Sequence, residues 1–140
     1  MKKRTFLFLI VTLFLTKVTT AQISSSFYMS NEYSSIGVGY DFHNRLWSEI
    51  RMYGNLKIED FTVEPVVAYN FITSEDFDTY VGVGFNINYI TGPTIPLGIH
   101  IKPFEQLPNF KFLFEANPYY NIDSETFIFY CAAGFRYCFK

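Results

Sequence analysis

The chain has 140 residues, 49% of them hydrophobic and 21% aromatic, with 11 Lys and Arg against 13 Asp and Glu. Four of those bases (Lys2, Lys3, Arg4 and Lys17) fall in an N-terminal leader, so the remainder carries seven bases against 13 acids. An acidic chain of one-domain size with no basic stripe excludes nucleic-acid binding and leaves no room for a second domain.

In chain order, the leader comes first. Lys2, Lys3 and Arg4 are followed by an almost unbroken apolar run, Phe6 to Leu15, and then by Thr19, Thr20 and Ala21. Basic, apolar and small-residue regions in that order predict a secretory signal peptide over residues 1–21, cleaved after Ala21. The apolar run is well short of the ~20 residues a helix needs to span a bilayer. Residues 22–140 then form the single mature domain.

That domain divides into eight alternating segments, approximately 23–31, 34–43, 46–54, 61–72, 79–89, 94–103, 110–121 and 126–139. The breaks carry turn chemistry: Asn31-Glu32, His43-Asn44-Arg45, Gly54-Asn55, Ser74 to Asp78, Thr91-Gly92-Pro93, Leu107-Pro108-Asn109 and Asp123-Ser124. A spacing near ~15 residues suits ~10-residue strands plus a turn. The expected fold class is all-β, a single closed antiparallel up-and-down transmembrane β-barrel of about eight strands.

Strand by strand, one face is bulky and apolar. Val81, Val83, Phe85, Ile87 and Tyr89 oppose Tyr80, Gly82, Gly84, Asn86 and Asn88, and Phe110, Phe112, Phe114 and Ala116 oppose Lys111, Glu115 and Asn117. Alternation of this kind fits two barrels: a soluble one with the apolar face inside, or a membrane one with it outside. An interior of eight strands holds side chains and no open channel. The polar face carries Asp41, Glu49, Glu64 and Glu115 against Arg51, Lys102, Lys111 and Arg136, with Gly37, Gly39, Gly82, Gly84 and Gly134 leaving space. The expectation is a lumen filled with paired charges; the alternative is a half-exposed sheet whose charges meet bulk water. Pro65 and Pro118 each remove a ladder donor and run against an uninterrupted strand.

No catalytic, cofactor-binding or metal-binding residues are expected. His43 and His100 are the two histidines, at the end of the barrel that holds both termini. No His-x-His spacing, calcium loop or Gly-x-Ser-x-Gly elbow occurs. Cys131 and Cys138 fall in one segment at odd spacing, on opposite faces and ~23 Å apart, too far to bond. Trp47, Tyr53, Tyr69, Tyr89, Tyr119 and Tyr120 lie near strand ends, where interfacial aromatic girdles belong.

The last segment ends Gly134-Phe-Arg-Tyr137-Cys-Phe139, with one further residue, Lys140. This resembles the C-terminal signal of bacterial outer-membrane proteins, with Gly134, Tyr137 and Phe139 as its marks. Together with Ser35–Phe42, Leu46–Arg51 and Ile99–Phe104, the whole mature chain is similar to the small outer-membrane β-barrels of Bacteroidetes-type bacteria. The resemblance implies location in the cell outer membrane, contact with its lipid, insertion by the barrel-assembly machinery and a monomer. The expected role is non-enzymatic, structural or surface contact. Two alternatives stand beside it: a soluble lipocalin-like barrel holding a small apolar ligand, and a lipid-modifying enzyme.

Overall fold

Nine strands form among the described residues: β1 (Gln22–Ser30), β2 (Ser34–Asp41), β3 (Leu46–Gly54), β4 (Thr62–Thr73), β5 (Phe77–Asn88), β6 (Gly92–Thr94), β7 (Leu97–Ile101), β8 (Phe110–Asn121) and β9 (Thr126–Phe139). The structure, a computed structural model, describes residues 22–30, 33–43, 45–54 and 61–139. The expected signal peptide, the breaks at Asn31-Glu32 and after Gly54, Asn44 and the terminal Lys140 lie outside the described residues.

Every strand pairs antiparallel with its neighbour, and β9 returns to β1 from Ile23↔Phe139 through Ser30↔Ala132. That last pairing closes the sheet, so no edge is left open. The closed antiparallel barrel has eight staves, because β6 and β7 are two halves of one. Both halves share one register on each side: β5 pairs Gly84↔Thr94 and Val81↔Leu97, and β8 pairs Thr94↔Tyr119 and Leu97↔Ala116.

Proline chemistry explains the interruption. Gly82 donates its N–H to the Pro96 carbonyl at 2.7 Å, and Ile95 donates to the Pro118 carbonyl at 3.0 Å. Neither proline has an N–H to return the bond. The sixth stave begins at Gly92 and ends at Ile101, two residues earlier at each end than alternation alone places it. Gly92 has φ +152°, and a Cβ there would meet the Tyr120 backbone carbonyl. The β4–β5 ladder likewise skips Glu64 and Pro65, and a bulge between Asn70 and Ile72 turns Phe71 and Ile72 outward together.

Turn residues close the ends. Ser74 accepts the Phe77 N–H on its hydroxyl at 3.1 Å while donating to the Phe77 carbonyl at 2.9 Å. Asn121 accepts the Asp123 N–H at 3.0 Å, and Glu125 takes φ +51° in the β8–β9 turn. At the barrel seam, a Cβ on Gly134 would collide with the Phe27 carbonyl, so only glycine lets β9 lie this close to β1.

The faces are inside-out relative to a soluble barrel. Val83 is 65% exposed, Phe112 43% and Phe135 46%, whereas Glu64 is fully buried. Ile, Val and Phe side chains cover the outer wall on every stave. Cys131 faces outward and Cys138 inward, and both are free thiols.

Candidate functional site

The period of two that throws Ile50 and Met52 to one side of β3 sends Glu49, Arg51 and Tyr53 to the other. Arg51 sits at the middle of the lumen. Its guanidinium forks onto Glu115 at 2.6 and 2.8 Å, and Nε donates to Glu49 at 2.8 Å. Glu64 lies 3.5 Å away, and the Tyr28 ring stacks beneath the guanidinium at 4.3 Å. Two phenols complete the cluster: Tyr28 donates to Glu49 at 2.6 Å and Tyr80 to Glu115 at 2.5 Å. Charges stripped of water are tolerable only with this density of partners.

Glu64 has a second set of donors, all neutral. Thr94 donates at 2.6 Å, Asn117 at 3.2 Å, and the Tyr53 hydroxyl closes on its other oxygen. Tyr130 extends this group, 2.5 Å from Tyr53 and 3.1 Å from the Asn117 amide.

Toward the end that carries both termini, Arg136 donates to Asp41 at 2.5 Å and Ser24 at 2.8 Å, with Glu49 at 3.5 Å. Its guanidinium lies 4.3 Å over the Trp47 ring, whose indole N–H donates to Asn70 at 3.0 Å. At the mouth itself, Asp78 bridges Lys102 at 2.9 Å and Lys111 at 3.0 Å. Lys102 also donates to the Ser74 carbonyl at 2.7 Å, tying the β4–β5 turn to the barrel.

All eight charged residues read from the sequence (Asp41, Glu49, Arg51, Glu64, Lys102, Lys111, Glu115 and Arg136) face this interior. Asp78 joins them, unread because it sits in a run of acids that looks like a turn. Among the described residues the lumen therefore holds five acids against four bases. The inward aromatics also differ from expectation. Trp47, Tyr53 and Tyr119 are buried in the lumen and not part of an outer girdle, because the Tyr53 hydroxyl and the indole N–H find partners there. Tyr69, Tyr89 and Tyr120 do face outward.

The glycines create the room. A Cβ at Gly37 would fall 2.7 Å from the Glu49 carboxyl carbon, and one at Gly98 2.5 Å from the Tyr80 hydroxyl. His100 is buried beside Tyr80, ring centroids 4.6 Å apart, and neither ring nitrogen has a hydrogen-bond partner. Of the terminal triad, Tyr137 and Phe139 point outward, while Gly134 lies on the inner face at the seam.

No protein-family model matches this chain, and no curated protein matches its sequence. Solved structures do match its fold. The N-terminal β-barrel domain of Pseudomonas aeruginosa OprF superposes with a TM-score of 0.61 at 15% identity, over 85% of this chain and 96% of that one. Neisserial surface protein A gives 0.57 at 17% identity, covering 85% and 94%. A de novo designed transmembrane β-barrel gives 0.59 at 17%, over the same shares. At these identities the likeness establishes the fold, that of small transmembrane β-barrels.

Proposed function

We propose that this protein is a non-enzymatic barrel of the bacterial outer membrane, monomeric, with a lumen plugged by its own side chains, serving envelope integrity or surface contact. One observation carries the reading: the outer wall is a belt of Ile, Val, Leu and Phe, and the charged side chains that point inward are enclosed and paired. Hydrocarbon accepts that wall, and closure gives every stave a hydrogen-bonded neighbour on both sides. Water would not, since an apolar surface of this extent drives association.

The lipocalin-like alternative fits poorly, because a small apolar ligand would have to displace Arg51 and its carboxylates. A lipid-modifying enzyme needs a nucleophile beside a base at the outer leaflet. His43 and His100 instead sit at the end that holds both termini, which in an outer-membrane barrel is the periplasmic one. The expected export signal and the resemblance to Bacteroidetes-type barrels support the location. In this reading Gly134, Tyr137 and Phe139 present the closing strand to the assembly machinery, and the Arg51 and Arg136 clusters fix the lumen.

Gel migration of the detergent-extracted protein, with and without boiling, tests the proposal. A folded barrel migrates faster unboiled and fractionates with outer membranes. Recovery in the soluble periplasmic fraction without detergent would overturn it.

A further inference from the structure

At the end of the barrel that holds both termini lies an open cavity of about 540 Å³, in the range of small-molecule sites. Its charges are layered. Among the described residues the inner wall carries Lys102, Lys111 and Arg136 against Asp41 and Asp78, three bases to two acids. Glu75, Asp76 and Glu105 stand at the exposed rim. From floor to mouth the cavity therefore runs from positive to negative.

The positive layer is short of acceptors. Asp78 is the one carboxylate shared by Lys102 at 2.9 Å and Lys111 at 3.0 Å. An ammonium has three N–H donors and no acceptor. Lys102 spends one on Asp78 and one on the Ser74 carbonyl, whereas Lys111 spends one, on Asp78. Three N–H groups remain, one on Lys102 and two on Lys111, and both side chains are partly open in a cavity that both line. Arg136 has nothing left to give: it is buried, spread over Asp41, Ser24 and Glu49, and lies over the Trp47 ring. A carboxylate bridging the two lysines would gain charge-assisted bonds to donors that already converge. A simple anion must first pass the acidic rim, where like charge opposes it. A ligand with an anionic head and a cationic tail matches both layers.

We propose that this vestibule binds small zwitterions of the amino-acid and short-peptide class, the carboxylate bridging Lys102 and Lys111 beside Asp78 and the ammonium turned toward the rim. The lysine pair holds the ligand; the rim selects which anions reach it. The inference rests on the barrel's interior and not on which membrane surrounds it.

Triglycine titrated into the folded protein in detergent, at neutral pH and fixed ionic strength, tests this by calorimetry and by NMR of the lysine side chains. Lys111→Gln assigns the signal and leaves Asp78 paired with Lys102. Saturable binding that shifts the Lys111 signal is expected, weakened about tenfold in Lys111→Gln. Acetate and ethylammonium, each carrying one half of the zwitterion, should bind the unsubstituted protein more weakly by about the same factor. An unmoved Lys111 signal overturns the site, as does undiminished binding in the variant. Acetate binding as tightly as triglycine reduces the site to a lysine counterion, and ethylammonium doing so reduces it to the acidic rim; either result overturns the proposal. Heat-modifiable migration on gels is independent of these outcomes, so failure here is separable from failure of the membrane reading.

Discussion

The middle of the lumen and its terminal mouth are made of the same chemistry, carboxylates bridged by cations, yet they differ in access to water. Around Arg51 the paired side chains are 0–1% exposed. Around Asp78 the two lysines keep 19% and 16% of their side-chain surface. A charge in the middle has only protein to answer it; a charge at the mouth can turn to solvent. Equal distances thus conceal unequal energies, and counting ion pairs says little without their depth.

Substitutions read along that depth test the difference. Arg51→Met strands Glu49, Glu64 and Glu115 in a dry interior, and unfolding by urea from detergent or lipid vesicles should show a loss of about 3–5 kcal/mol. Arg136→Met is next, at about 2–4 kcal/mol, because its partner Asp41 lies partly open while Glu49 does not. Unchanged stability in either would mean the carboxylates are answered by water and the two regions are alike. Tyr80→Phe removes one donor from Glu115 without removing charge, an expected loss of about 1.5–3 kcal/mol by the same titration. Smallest is Lys102→Met, about 0.2–1 kcal/mol and shrinking with added salt, whereas the Arg51 effect should hardly respond to salt.

Alternation made the staves and the charged face legible, since each Phe or Val at every second position implies its neighbour's direction. Depth was not legible. Asp78 follows Glu75 and Asp76, and nothing local separates a turn acid from the first inward residue of β5. Trp47, Tyr53 and Tyr119 combine an apolar body with a polar tip, so strand-end position suits a lipid interface as well as a lumen; only the partners Asn70 and Glu64, brought in by distant strands, decide. Pro65 and Pro118 were visible as obstacles. Pro118 falls opposite Ile95 and Pro65 falls where the β4–β5 ladder is interrupted, places set by register and not legible in the sequence.

That sixth stave has a mechanical consequence. A closed cylinder distributes load around a continuous ring of hydrogen bonds, and here adjacent links are missing on both flanks of one slat, beside Gly82 and beside Ile95. Breathing of the wall should start there, so deuterium should reach the amides of Gly82, Ile95 and Leu97 well before those along the β1–β9 closure.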